Sequence, residues 1–205
     1  MRRLSSNSQD LSLYSGENTN DDICSNVYTP SEDSFSVASV ADGVVWDVRL
    51  ACDLGCGTGI IAGVLTEKTE FVVATDVDGT AVKCAKSIFA SRGWATVGFV
   101  QTEGLSAFRE GSFDAVVSNP PYLDSRDGDI RWDGGIMGIE VPLRFAREAS
   151  RVLKKKGLLV IAVSSLSPVK LFEECLKAYG YFVVYKANAY MGLMENLTIF
   201  VAKKL

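Results

Sequence analysis

Four consecutive residues near the middle of the chain combine polar and rigid groups that could bind a ligand. Asn119, Pro120, Pro121 and Tyr122 directly follow an apolar run at 113–118, which predicts a short buried strand. Each proline fixes φ at about −65° and donates no N–H, so the backbone is stiff and its carbonyl oxygens are free to accept. An amide and an aromatic ring stand beside those carbonyls. We therefore predict a functional tip here rather than an ordinary strand end.

A glycine-rich stretch lies between the first predicted strand and the helix that follows it. Residues 53–59 read DLGCGTG. The glycines let the backbone approach a ligand closely, and the N–H groups at the start of a helix can act as donors. The spacing matches neither G-x-G-x-x-G nor G-x-x-x-x-G-K-[ST], and Asp53 would repel a pyrophosphate. Taken alone, the stretch is as compatible with a structural tight turn as with a ligand site.

Two further acidic residues stand where a nucleoside ligand would need them. Asp76 ends the second predicted strand, where a carboxylate can bind both hydroxyls of a ribose. Glu103 follows the third strand, near the expected place of an adenine. A ribose, an adenine and a positively charged amino-acid end together describe S-adenosylmethionine, so these residues favour that ligand for the glycine loop.

The surrounding segments alternate between strand and helix patterns. Strands are predicted at 50–54, 71–76, 97–101, 113–118, 158–163, 181–187 and 196–203, and helices from Ser31 to about 41, from the glycine loop to 68, and at 79–92, 139–155 and 168–179. The last two strands predict a terminal antiparallel hairpin. Continuously apolar strands alternating with helices are typical of a mostly parallel α/β sheet covered by helices on both faces.

Composition narrows the class of protein. The chain has 205 residues and a net charge of −4, which suits one domain and argues against a protein bound to nucleic-acid backbone. We predict a flexible polar tail at 1–26 and a single domain at 27–205. No apolar run approaches the ~20 residues that span a bilayer. The N-terminal residues lack the apolar core of a secretory signal, so we expect a cytoplasmic protein.

Two residue types restrict the chemistry. The chain contains no histidine, which excludes histidine-based triads and histidine-ligated metal, and we predict no metal site. The cysteines are odd in number and include no C-x-x-C pair, so we predict five free thiols in a reducing compartment. They are Cys24, Cys52, Cys56, Cys84 and Cys175.

The glycine loop at 53–59 and the tip at 119–122 together resemble the class I, Rossmann-like methyltransferases that use S-adenosylmethionine. The Asn-Pro-Pro-Tyr tip resembles the branch that methylates planar nitrogens. The stretches VYTPSEDSF at 27–35 and WDGGIMG at 132–138 are similar to the HemK-like family, which methylates a glutamine in class 1 translation termination factors. The short polar N-terminal segment resembles the eukaryotic and archaeal type. The resemblance covers about residues 27–205.

The resemblance implies a set of contacts with S-adenosylmethionine and with the acceptor. The cofactor-binding residues would be Ser34, Asp53, Gly55, Gly57, Asp76, Glu103, Gly104 and Asn119. The substrate-binding residues would be Asn119, Pro120, Pro121, Tyr122 and Leu123, with Asn119, Pro120 and Tyr122 catalytic. Many relatives have aspartate where this chain has Glu103, which keeps the charge but lengthens the reach.

The tip suggests how a weakly nucleophilic amide could react. We hypothesise that the Asn119 side-chain oxygen accepts one N–H of the acceptor amide and that the Pro120 carbonyl accepts the other. The prolines hold both acceptors rigidly, and Tyr122 packs against the flat face of the amide. This arrangement would aim the nitrogen at the methyl group and stabilise its growing positive charge.

Four alternative functions remain open at this point. The nearest is methylation of adenine N6 in DNA or RNA, although this acidic chain shows no basic groove or recognition domain. Methylation of protein lysine or of a small molecule, and a non-catalytic cofactor-binding subunit, are weaker alternatives.

Two further segments could contribute to function, one by binding a partner and one by covering the substrate. The third strand, at 96–101, is expected at an apolar sheet edge that invites pairing with another chain. The family resemblance implies a small zinc-binding activator protein as that partner. The loop at 123–138, with Arg126, Arg131 and Trp132, could close over the substrate as a lid or be a plain mobile loop.

Overall fold

The computed structural model describes residues 22–125, 128–191 and 195–205. The α-helices of these residues are α1 (Glu32–Val44), α2 (Ile60–Thr66), α3 (Gly79–Ser91), α4 (Glu140–Val152) and α5 (Val169–Ala178). The strands are β1 (Val48–Leu54), β2 (Thr69–Asp76), β3 (Val97–Gln101), β4 (Phe113–Ser118), β5 (Leu153–Ser164), β6 (Tyr181–Tyr190) and β7 (Asn196–Lys204). No described helix is long and apolar enough to cross a membrane.

The seven strands form one sheet in the order β3-β2-β1-β4-β5-β7-β6. The first five are parallel, and β7 runs antiparallel to both β5 and β6. The predicted mostly parallel sheet with a terminal hairpin is therefore confirmed. β2 and β3 lie on one side of β1, and β4 and β5 lie on the other, so the strand order reverses between β1 and β4. In open α/β sheets, ligands bind outside the carboxyl ends of the strands at such a reversal.

Helices cover both faces of the sheet, which explains why its central strands are apolar throughout. In β1, Ala51 belongs to the core cluster beneath α1, α2 and α3, whereas Cys52 belongs to the cluster beneath α4 and α5. In β4, Ala115 and Val117 face the first cluster and Val116 faces the second. Alternate residues of each strand thus enter opposite cores, as the period of two in a strand requires.

The predicted end of α4 and the predicted start of β5 are both wrong. The helix predicted at 139–155 ends at Val152, and the lysines from 154 to 156 belong to β5. Leu153 pairs with Phe113 of β4, and the Lys154 Nζ lies 2.7 Å from Asp114 Oδ1. Sheet pairing and this ion pair outweigh the helix propensity of lysine, so these residues extend the sheet and not the helix.

The prediction of five free thiols is also wrong. Cys24 and Cys84 form a disulfide across 60 residues of sequence, which fastens the segment before α1 to α3. Cys52, Cys56 and Cys175 are free. No sequence pattern marks a pair so far apart, because its formation depends on how the N-terminal segment packs. Of the predicted tail, residues 1–21 lie outside the described part of the chain.

Candidate active site

Two adjoining cavities lie at the carboxyl ends of the parallel strands. The larger cleft, of about 350 Å³, is lined by residues that follow β1, β2, β3 and β4. The smaller cavity, of about 160 Å³, lies against the tip after β4. Tyr28, Asn119, Pro121 and Arg131 line both. The tip therefore stands on the border between two spaces that differ in size.

The glycine loop is fixed against the end of β2. Gly55 and Cys56 both donate their N–H groups to the Thr75 carbonyl, at 2.9 and 2.8 Å, and Gly57 donates to Asp76 Oδ2 at 3.0 Å. Gly55 and Gly57 have φ values of 76° and 52°, a conformation that favours glycine. The loop backbone thereby forms one wall of the larger cleft.

The two predicted carboxylates near this loop have different surroundings. Asp76 lines the cleft, accepts the N–H groups of Gly57 and Asp78, and has a raised pKa because it is largely buried. Asp53 lies behind the loop and is fully buried. Its Oδ2 accepts the Ala62 N–H at 2.8 Å, and its Oδ1 has no partner. Burial, with a smaller contribution from the Asp76 charge, raises the pKa of Asp53 to about 7.

The opposite wall of the cleft contains Glu103 and Gly104. Glu103 is exposed and its Oε1 accepts from Arg144 at 2.9 Å. Gly104 has a φ of 55°, and a side chain there would collide with the Glu148 carboxylate, which accepts the Leu105 N–H at 2.6 Å. Only glycine fits, so this position can offer a ligand nothing but backbone.

The tip presents a buried side-chain acceptor for which the described residues provide no donor. Asn119 Nδ2 donates to Asp33 Oδ2 at 2.8 Å and lies 3.5 Å from Ser34 Oγ. Asn119 Oδ1 is buried and has no hydrogen-bond partner. Tyr122 also donates its hydroxyl to Asp33 Oδ2, at 3.1 Å. A buried acceptor without a partner costs free energy unless a ligand satisfies it.

Asp33 is a site residue that the sequence analysis missed. It is 3% exposed and lines the smaller cavity. The Tyr28 hydroxyl lies 3.1 and 3.2 Å from its two oxygens, and Ser34 Oγ donates at 3.3 Å. Burial first, and then the Asp33 charge, raises the pKa of Tyr28 and of Tyr122 above its usual range. Its position in the first turn of α1, where acids are generally favoured, gives no local signal of this role.

The remaining walls of the smaller cavity come from the tip and the loop after it. Pro120, Leu123, Arg131 and Trp132 line this space. Leu123 donates its N–H to Trp132 at 2.9 Å and accepts from Gly134 at 2.7 Å, so the two ends of the loop are bound to each other. The Arg131 guanidinium lies 4.3 Å from the centre of the Trp132 ring. Arg126, also expected in a lid, lies outside the described residues.

The structure brings almost all of the predicted site residues to these two spaces. Those that line the larger cleft are Ser34, Gly55, Gly57, Asp76, Glu103, Gly104 and Asn119. Those that line the smaller cavity are Asn119, Pro120, Pro121, Tyr122 and Leu123. Asp53 alone lines neither. In the described residues, no cluster of acidic and cysteine side chains has the geometry of a metal site.

The class I methyltransferase fold is defined by a mostly parallel sheet with this strand order, a glycine loop after β1, an acid at the end of β2 and a polar tip after β4. Residues 46–190 match the family described as the methyltransferase small domain. The chain therefore belongs to this family and is a methyltransferase.

Two relatives and one solved structure show which methyltransferases this chain is similar to. A putative protein N5-glutamine methyltransferase of Methanocaldococcus jannaschii is 31% identical over 182 residues, which cover 84% of this chain and 90% of that protein. The mouse methyltransferase HEMK2 is 27% identical over 72% of this chain and 76% of its own length. The E. cuniculi Mtq2–Trm112 complex, described as responsible for methylation of the termination factor eRF1, aligns at 25% identity. Its TM-score is 0.69, and the alignment covers 87% of this chain and 99% of that one.

A second group of relatives acts on a different class of molecule. These proteins are named ribosomal RNA small subunit methyltransferase C and are 28–32% identical to this chain. The chain spans only 31–39% of their length.

Proposed function

We propose that this methyltransferase transfers a methyl group from S-adenosylmethionine to the side-chain nitrogen of a glutamine. The glutamine is that of the Gly-Gly-Gln motif of a class 1 translation termination factor. The observation that carries the proposal is the unpartnered, buried Oδ1 of Asn119 at the border of the two cavities. An acceptor oxygen in this place suits a ligand that brings an N–H group.

The larger cleft fits the methyl donor. Its volume, about 350 Å³, lies in the range of small-molecule sites. In this proposal Asp76 binds the ribose hydroxyls, and the exposed Glu103 and the backbone at Gly104 bind the adenine. The rest of the donor is bound by Ser34, Asn119 and the loop glycines. Asp53 lies behind the loop, and a positively charged amino-acid end would favour its ionised form, which then adds negative charge there. When bound, S-adenosylmethionine supplies an electrophilic methyl group.

The smaller cavity fits the acceptor amide. Asn119 Oδ1 accepts one N–H of the glutamine side chain, and the Pro120 carbonyl accepts the other. Both prolines restrict the backbone, so that the two acceptors keep their spacing without a substrate. Tyr122, held by its hydrogen bond to Asp33, packs against the flat face of the amide. These contacts restrain the nitrogen and stabilise its growing positive charge, and the surplus proton leaves to water.

A methyl-transfer assay tests the proposed acceptor. The protein is incubated with radiolabelled S-adenosylmethionine and a termination factor that carries the Gly-Gly-Gln motif. A factor in which the motif glutamine is replaced by asparagine, small-subunit ribosomal RNA and duplex DNA are assayed in parallel. We expect label only in the intact factor. Label in a nucleic acid, with none in the factor, would refute the proposed acceptor and favour the nucleic-acid alternative.

We further propose that a small zinc-binding activator subunit pairs with the edge strand β3. β3 ends the sheet on one side, and Phe71 on the neighbouring β2 is 40% exposed. Val100 lies in this edge strand, whereas Val184 lies in β6 at the opposite edge. Val100→Glu should abolish co-purification with the activator, and Val184→Glu should not. Equal binding by both variants would place the partner elsewhere.

We propose that the protein acts in the cytoplasm, where translation termination factors work. The reducing conditions there would favour the thiol forms of Cys24 and Cys84 over their disulfide.

We also propose that the loop at 123–138 closes over the substrate as a lid, since Arg131 and Trp132 line the smaller cavity.

A further inference from the structure

We propose that Asp33 is a positioning residue that holds the Asn119 amide with its oxygen toward the acceptor. This inference rests on the proposed transfer to a side-chain amide. It concerns a residue that takes no direct part in the scheme above, because it acts through Asn119.

Asp33 joins four of the polar side chains that surround the border of the two cavities, whereas Arg131, which also lines both, pairs with Asp129. The two carboxylate oxygens of Asp33 accept from Tyr28, Ser34, Asn119 and Tyr122 over distances of 2.8 to 3.3 Å. Asp33 is buried, and among the described residues no lysine or arginine forms an ion pair with it. Four neutral donors therefore replace the water and the cation that a buried carboxylate normally needs.

The chemistry of a carboxylate decides which end of Asn119 faces it. A carboxylate only accepts hydrogen bonds, so the Asn119 group at 2.8 Å must be the NH₂ group. The Oδ1 atom then has to point the other way, where the protein offers it no donor. Without Asp33, the amide could turn by half a rotation and present its own NH₂ group to the NH₂ group of the substrate. Two donors facing each other cannot form a hydrogen bond.

The charge of Asp33 adds to this orientation. It lies one hydrogen bond away from the Asn119 amide, in a site shielded from water. A negative charge on the NH₂ side polarises the amide and makes its Oδ1 a stronger acceptor. Because positive charge grows on the acceptor nitrogen only during transfer, this polarisation favours the transition state over the ground state.

A purely structural role for Asp33 makes different predictions. Asp33 lies in the first turn of α1, and an acid there stabilises the helix through its dipole. Glu32 occupies the same turn but is exposed, so it provides a matched control. If Asp33 only supported the helix, removal of either charge would lower the melting temperature and leave turnover unchanged.

The test uses three single variants and one exchange. Asp33→Asn keeps the shape but loses the negative charge and one of the two acceptor oxygens, so the four donors around it compete for a single carbonyl oxygen. We expect kcat with the termination factor to fall on the order of 100-fold, with the Kd for S-adenosylmethionine within about threefold of wild type. Glu32→Gln should leave kcat within about twofold. Asn119→Asp, which places a second carboxylate beside Asp33, should be at least as inactive as Asp33→Asn.

The double variant Asp33→Asn with Asn119→Asp exchanges the two side chains. The amide at position 33 can then donate to the carboxylate at position 119, so the hydrogen bond is restored with donor and acceptor exchanged. We expect the kcat of the double variant to exceed that of either single variant at least about tenfold. An exchange no better than the single variants would refute the inference, as would an Asp33→Asn variant with wild-type kcat. If one single variant does not fold, the inference is tested by comparing the kcat of the double variant with that of the other single variant. If wild type does not methylate the factor, the proposed acceptor fails, and the same variants are compared on the acceptor that it does methylate.

Discussion

The two cavities that meet at Asn119 are built in different ways. Backbone shapes the larger cleft, because its walls depend on glycines with positive φ and on N–H groups that bind Asp76. Side chains shape the smaller cavity, and three of them, Tyr28, Asn119 and Tyr122, bind the single carboxylate of Asp33. A change in the cleft should therefore weaken one contact at a time. A change in the cavity should disturb the whole acceptor site.

The disulfide gives the largest expected effect on the molecule, because the segment it anchors contributes Tyr28 to both cavities. Cys24→Ser should lower the free energy of unfolding by about 2–4 kcal/mol, since a long loop in the unfolded chain is released. Donor affinity and transfer should then fall together. Urea unfolding and a donor titration measure the two effects. Cys175→Ser, which removes a free and partly exposed thiol, serves as the control.

Should Cys24→Ser match its control in stability and in both activities, the disulfide would have no part in shaping the shared wall. A fall in transfer alone would instead assign the N-terminal segment to the acceptor side only.

Asp76→Ala should affect the larger cleft without affecting the smaller cavity. The loss of charge-assisted hydrogen bonds, worth about 1.5–3 kcal/mol, predicts a Kd for S-adenosylmethionine raised roughly 10- to 100-fold. Transfer at saturating donor should stay within a few-fold of wild type. Asp42→Ala removes a carboxylate that lines neither cavity and should change neither value. Calorimetric titration provides the Kd, and a loss of turnover at saturating donor would contradict the separation of the two sites.

A smaller effect concerns the pH dependence of stability. The pKa of Asp53 is about 7 in the folded chain, against an ordinary value of 3.8. Between these values the folded state keeps a proton that the unfolded state releases, so Asp53 lowers stability progressively as pH rises from about 4 to 7. The slope is at most about 1.4 kcal/mol per pH unit. Asp53→Asn should remove it.

Urea unfolding of both proteins at pH 5, 6 and 7 measures this slope, because the groups that do not interact with Asp53 titrate equally in the two proteins and cancel in the difference. If the free energy of unfolding had the same pH dependence in both proteins, the burial of Asp53 would not destabilise the fold in the way that its unpartnered Oδ1 indicates.

The sequence predicted the larger cleft well and the smaller cavity only in part. Glycines, the acid that ends β2 and the tip after β4 are local signals, since each depends on a few adjacent residues and on the end of a strand. Asp33 meets Asn119 across 86 residues and Cys24 meets Cys84 across 60, so their partners follow only from the packed fold. The end of α4 was misjudged for the same reason, because Lys154 is drawn into β5 by its pairing with Asp114 on another strand.

Asn119→Ala tests most directly whether the tip is an acceptor site that borders a donor site. The measurement combines the Kd for S-adenosylmethionine with the rate of methyl transfer to the termination factor at saturating donor. We expect a Kd within about threefold of wild type and a rate at least about 100-fold lower, because the variant loses the Oδ1 that orients the acceptor nitrogen. A variant that loses donor affinity but keeps the wild-type rate at saturating donor would contradict the account.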